Sequence, residues 1–213
     1  MKKSGFTLAE ILISLGIIGI IAAVVTPSLA INTQNRANAT KLSTASSTIE
    51  NALGMMITKE DADDLSETEL GSANNNDKAV AALEKYIQIE TVQNDEYTGA
   101  MTSYIQAGDT GNALFKTKSG AIVYILKDST ADFDKIYVDV NGNDKPNKEG
   151  RDIFAYYIDR DNGSLIPFGS VKANDIDSNG TWNAKSATYT CTTDNLSLGC
   201  TARLSEHTYK VDY

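Results

Sequence analysis

The sequence predicts an α+β protein, in which one long N-terminal helix packs on a small antiparallel sheet. Three observations carry this. No residue from Ile11 to Ile31 is charged, and most are aliphatic. Beyond that run, Leu42, Ala45, Ile49, Leu53 and Met56 recur at intervals of three and four residues, the spacing of one helix face. From Ala113 onward, short runs rich in β-branched and aromatic residues are separated by turn residues.

The helix is expected from about Thr7 to about Thr58. Pro27 has no N–H to give and should kink or locally melt it. Asn35, Arg36, Asn38, Lys41 and Ser47 fall largely off the apolar stripe. Met55 and Met56 read as core filler rather than metal ligands. Residues 61–77 are acidic and Asn-rich and read as a loop. Residues 79–89 could form a short helix, with Val80, Leu83, Tyr86 and Ile87 on one side. Residues 113–117 and 121–126 flank Lys118-Ser119-Gly120 and read as a hairpin. Residues 135–140 and 152–158 supply two further strands.

Composition narrows the function. The chain has 213 residues, and its 41% apolar content rules out a mostly disordered chain. Its net charge is -9, and no Lys or Arg run occurs outside Lys2-Lys3, which argues against a nucleic-acid partner. Cys191 and Cys200 suit one disulfide closing a short loop, and an oxidising compartment follows if it forms. They do not suit a metal site, and His207 has no second His or Cys at ligand spacing. No nucleophile elbow, phosphate loop or triad histidine is present, so no enzymatic activity is expected. Acid pairs such as Asp132 with Asp134, or Asp159 with Asp161, are what a polar surface supplies. A membrane-tethered hydrolase or glycan-binding module is the remote alternative, with Trp182 its only tryptophan.

The chain begins Met1-Lys2-Lys3-Ser4-Gly5-Phe6-Thr7-Leu8-Ala9-Glu10. At about 1.5 Å per residue, the apolar run behind these residues spans the ~30 Å core of a bilayer. Lys2 and Lys3 precede it, so the positive-inside rule keeps the N-terminus cytoplasmic and exports the rest. A secretory signal peptide would have a shorter apolar region of about 7–15 residues and a small-x-small cleavage site. A plain anchor leaves Glu10 unexplained, since an ionised acid costs roughly 2.5–3.5 kcal/mol at the centre of a spanning helix and less toward its end. A buried core helix of a soluble protein does not run this long without a polar face.

Lys2-Lys3-Ser4-Gly5-Phe6-Thr7-Leu8-Ala9-Glu10, with the aliphatic run that follows, resembles the class III signal of type IV prepilins and type II secretion pseudopilins. The resemblance covers residues 2–31. It implies a prepilin peptidase that cuts after Gly5 and methylates Phe6, the new N-terminus. It implies that Glu10 is the family's acidic position and that Pro27 is its helix-bending proline. The chemistry is consistent with this. Methylation leaves the Phe6 amine charged. An unpaired acid in low dielectric is expensive, so a neighbouring subunit's amine can neutralise Glu10 and reward one axial register. Gly16 and Gly19 allow close approach of backbones, although glycine is also ordinary in membrane helices.

The resemblance implies a pilin-like fold with a leader (1–5), a transmembrane and polymerisation half of the helix (6–31), an amphipathic half (32–58) and a globular head (59–213). The implied function is a structural subunit of a type IV pilus-like filament, as a major or minor pilin. A pseudopilin of a type II secretion system is the alternative. The segment from Cys191 to Cys200 resembles the disulfide-closed loop of many type IV pilins and tips the reading toward a pilus. Implied partners are the prepilin peptidase, other pilin or pseudopilin subunits, an inner-membrane assembly platform and the membrane. The precursor is expected in the inner membrane as a single-pass protein, and the product in an extracellular pilus or periplasmic pseudopilus.

No cofactor is expected apart from one candidate, calcium. Asp139, Asn141, Asn143 and Asn147 stand at positions 1, 3, 5 and 9 of an EF-hand-like spacing, with the Lys145 carbonyl at position 7. Asp144 replaces the usual Gly at position 6, and Gly150 replaces the acid at position 12. Asp152 could substitute for that acid. Asp175, Asp177 and Asn179 make a second partial match. The competing reading is a pair of Asx-stabilised turns.

Overall fold

A computed structural model describes residues 5, 7–93, 95–105, 113–127, 133–170, 191, 196–206 and 209, with only the backbone for 27, 28, 32 and 100. It has two compact units, Met1–Ala37 and Asn38–Tyr213, and helix α1 (Leu8–Glu60) contributes to both.

In the first unit, α1 is aliphatic on every side. Leu8, Ile20 and Val24 are 80%, 70% and 71% exposed. Three of its hydroxyls turn inward. Ser14 donates to the Glu10 carbonyl at 2.8 Å, Thr26 to Ala22 at 2.7 Å and Thr33 to Leu29 at 2.9 Å. Returning a hydroxyl to the preceding turn removes the need for an outside partner, which an apolar solvent could not supply. The helix continues through position 27, so Pro27 does not melt it.

In the second unit, the apolar stripe of α1 meets a sheet. Ala39, Leu42, Ala45, Ile49, Leu53 and Met56 are all buried. The six-stranded sheet comprises β1 (Ile89–Val92), β2 (Leu114–Thr117), β3 (Ile122–Leu126), β4 (Phe133–Asp139), β5 (Ile153–Asp159) and β6 (Ser164–Pro167). The strands lie in chain order, each antiparallel to the next. In the middle of the sheet Val123 pairs with Val138, and Val138 with Phe154.

Both faces of the sheet are covered. Phe115, Val123, Val138, Phe154 and Ile158 join the α1 stripe and helix α3 (Asn76–Glu84) in one core. Leu114, Tyr124, Tyr137, Tyr157 and Phe168 form a second core with Tyr97, Met101 and Leu198. Every residue of β5 is therefore buried. This explains why the strand sequences lack a clean polar alternation.

Residues 61–77 are more ordered than a loop. They hold a 3-10 turn (Leu65–Glu67), α2 (Glu69–Ser72) and the start of α3. The polar residues that read as loop are caps. Asp64, Thr68 and Asn75 accept hydrogen bonds from the N–H groups of Ser66, Gly71 and Lys78. Leu65 and Leu70 are buried between them. A Cβ at Gly71 would lie 2.3 Å from the Leu65 carbonyl oxygen, so this tight reversal needs glycine. Strands β1 and β6 were not predicted. Each is four residues long, and β6 ends at Pro167 on a sheet edge, where a missing N–H is tolerated.

Ile49 is fully buried where α1 meets the sheet. Ile49→Ala should lower the stability of the full chain in detergent by about 2–5 kcal/mol. Ser47→Ala, on the exposed side, should change it by less than about 0.5 kcal/mol. Urea unfolding followed by near-ultraviolet circular dichroism checks both.

Candidate functional site

The N-terminal feature has three described residues, Gly5, Thr7 and Glu10. Gly5 is exposed, and a Cβ there would meet nothing within 4 Å, so packing does not demand glycine. Phe6 lies outside the described residues. Thr7 and Glu10 bind each other reciprocally. The Thr7 N–H and hydroxyl donate to Glu10 Oε2 at 2.8 and 2.9 Å, and the Glu10 N–H donates to Thr7 Oγ1 at 3.3 Å. This is a capping box that closes the start of α1. It gives the Glu10 carboxylate partners within its own chain.

The second feature is the β4–β5 connection, residues 140–152. Asp139 is fully buried at its start. Its Oδ1 accepts from the N–H groups of Asn141 (3.1 Å) and Gly142 (2.8 Å), and its Oδ2 from the Tyr97 hydroxyl at 2.5 Å. Burial pushes the Asp139 carboxyl up to about 6, against the pull of these hydrogen bonds. Asp152, also fully buried, accepts from the Lys148 N–H at 2.6 Å. Burial raises its pKa too, opposed by the N–H groups of Lys148 and Asn147 and by the Asn141 side chain. Asn141 Nδ2 donates to the Asp144 carbonyl at 2.9 Å. Asn143 bridges to another segment, accepting from the Thr98 N–H at 2.8 Å and donating to the Glu96 carbonyl at 3.1 Å. Lys145 is exposed, and Asn147 is half-buried with φ 50°.

Two other parts of the second unit hold this loop. From α1, Lys41 Nζ donates to the Val140 carbonyl at 3.2 Å and Asn38 Nδ2 to the Arg151 carbonyl at 3.4 Å. From the C-terminal side comes helix α4 (Cys200–Glu206), whose first residue is in a disulfide with Cys191. Gly150, at φ 73°, sits against it. A Cβ there would lie 2.7 Å from the Ser197 carbonyl oxygen and 2.8 Å from Cys200 Sγ.

The described members of the acid pairs are engaged in the head's own structure. Asp134 lies between Lys127 Nζ (2.8 Å) and Arg160 Nη2 (2.7 Å). Burial pushes the Lys127 amine down, against the pull of Asp134. Asp159 accepts from the Asp161 N–H and from Asn162. A groove of about 320 Å³ is lined by Thr44, Thr48, Met55, Gln88 and Lys118 among others, and none of its lining residues is an acid, a histidine or a cysteine. Among the described residues, no three His, Cys, Asp or Glu side chains come together to hold a metal. Asp132, Trp182, His207 and the second Asp-rich match (175–179) lie outside the described residues.

Residues 1–26 match the family model of the prokaryotic N-terminal methylation motif. The chain carries a prepilin-type signal. That signal, found in type IV pilins and pseudopilins, here spans Gly5, Phe6 and Glu10 and stops just before Pro27. No curated protein and no solved structure matches the chain. Helix α1 is long and apolar enough to cross a membrane, which fits a membrane-anchored precursor bearing a prepilin signal. The helix and antiparallel sheet make an α+β arrangement consistent with a pilin-like fold.

Sequence reasoning missed two parts of these sites. The Thr7–Glu10 box has a visible signal, Thr-x-x-Glu ahead of an apolar run. The Tyr97–Asp139 bond has none, because its partners are 42 positions apart.

Gly150→Ala should destabilise the chain more than Gly120→Ala. Both glycines have positive φ, but a Cβ at Gly120 meets nothing within 4 Å. The expected losses are roughly 1 kcal/mol for Gly120→Ala and about 2–3 kcal/mol for Gly150→Ala. Urea unfolding checks the order, and equal losses would mean that the disulfide segment does not press on the loop.

Proposed function

We propose that the chain is a structural subunit, not an enzyme, that polymerises through residues 6–31 into a type IV pilus-like filament. Cleavage after Gly5 and methylation of Phe6 by a prepilin peptidase precede assembly. The observation that carries this reading is a coincidence. The methylation motif sits on a helix whose large aliphatic side chains from Leu8 to Ile31 are exposed.

The residues have defined roles in this reading. Gly5 is set by the peptidase, since packing does not require it. The Thr7–Glu10 box holds the Glu10 carboxylate while the subunit waits in the membrane. Assembly then brings the methylated amine of a neighbouring subunit to Glu10, and a charge-assisted contact supplements or replaces the Thr7 donors. Gly16 and Gly19 have open space beside them, which gives a neighbouring helix room to approach. The Cys191–Cys200 loop favours a pilus subunit over a secretion pseudopilin. The assembly platform and N-terminus then face the cytoplasmic side, and the head lies beyond the membrane.

Glu10→Leu should insert into the membrane as well as the unchanged protein or better, because it removes an acid from the span. The yield of sheared filaments should fall about tenfold or more, because the incoming amine is left without its partner. Gly5→Val should accumulate as unprocessed precursor. Full filament yield from Glu10→Leu would contradict the pairing, and normal processing of Gly5→Val would contradict the cleavage site.

A further inference from the structure

We propose that the β4–β5 loop binds one calcium ion through Asn141 Oδ1, Asn147 Oδ1 and Asp152 Oδ2. All three oxygens are buried and accept no hydrogen bond of normal geometry, although the Asn147 N–H and the Asn141 side chain lie near enough to the Asp152 carboxyl to lower its pKa. Asp152 as a residue is fully buried. A buried acceptor without a donor costs about 1–3 kcal/mol, and more when it is charged. Three such oxygens in one loop call for a partner that brings positive charge.

The chemistry of the loop selects the partner. The three groups are two amide oxygens and one carboxylate, with no imidazole or thiolate, so the site suits a hard cation. A second buried carboxylate, Asp139, adds negative charge from behind. Its own oxygens are taken by Tyr97, Asn141 and Gly142, so it anchors the loop. Asn143 is committed to Thr98 and Glu96. The proposed ligand set thus differs from the one that EF-hand-like spacing suggested: Asp139 and Asn143 are committed elsewhere, the Lys145 carbonyl is not used, and Asn141, Asn147 and Asp152 are kept. Calcium accepts an irregular shell of 6–8 oxygens that main-chain carbonyls and water can complete, whereas magnesium requires a near-ideal octahedron. With few charged ligands, affinity should fall in the range of extracellular modules, about 10⁻⁴–10⁻³ M. The bound ion would brace the loop that Asn38 and Lys41 of α1 hold on one side and Cys200 on the other. This inference rests on head residues alone and is independent of the proposed filament role.

The test uses the full chain purified in detergent and freed of metal by chelator. Equilibrium dialysis against radioactive calcium should give one ion per chain in that affinity range. At roughly tenfold excess over Kd, calcium should raise the melting temperature by about 3–5 °C, and equal magnesium should not. Asp152→Asn should abolish both effects, and Asp161→Asn, on an exposed turn, should keep both. Asn147→Gly provides a second variant if Asp152→Asn does not melt cooperatively. Glycine suits the φ of 50° at that position, so only the ligand oxygen is lost, and affinity should drop about tenfold or more. Absence of calcium binding by the unchanged chain, or unaltered binding by Asp152→Asn or Asn147→Gly, would overturn the assignment.

Discussion

The large aliphatic side chains between Leu8 and Ile31 are exposed, and among the described residues none covers them. Each large one left in water forgoes roughly 1.5–3 kcal/mol of burial. That constraint decides where the protein can exist. A bilayer removes the cost, and so does a bundle of identical helices. Moving from one to the other gains little from the hydrophobic effect, because lipid tails are as apolar as leucine. Close backbone packing and polar pairing then govern association. Gly16, Gly19 and Glu10 are the departures from aliphatic character that can supply these.

Glu10 shows how the conflict is handled within one subunit. An acid at the head of a membrane span is expensive when bare. The capping box gives it two donors from Thr7 and at the same time satisfies N–H groups at the helix start. The second half of α1 meets the opposite requirement. Its apolar stripe is buried by the sheet, and Lys41 and Asn38 beside that stripe hold the β4–β5 loop through its carbonyls. Helix, loop and disulfide segment therefore meet at one place in the head, with Asp139 and Asp152 buried inside it.

Much of this was legible in the sequence. The α1 stripe could be read residue by residue, because helical spacing leaves few alternatives once Leu42, Ile49 and Met56 line up. Strands β2 to β5 were legible because β-branched and aromatic runs end at clear turn residues. The prepilin signal was legible because an acid directly before an uncharged run has few other uses. Strand β1 was not, since Ile89-Glu90-Thr91-Val92 is an edge strand with no buried residue and little apolar pattern. Residues 61–77 misled because Asp, Asn and Thr serve loops and helix caps equally well. The second apolar layer, with Tyr97 and Met101 on the far face of the sheet, depends on long-range contacts that no local pattern encodes. The same holds for the β4–β5 loop, where no local pattern shows which oxygens burial leaves without donors.

The central claim is that residues 1–5 are a leader and that Phe6 becomes a modified N-terminus. Top-down mass spectrometry of the protein recovered from assembled filaments tests this most directly. One N-terminal series is expected, beginning at Phe6 and carrying a single added methyl group on its amine. A series beginning at Met1, or one beginning near Ala30 after ordinary signal cleavage, would contradict it.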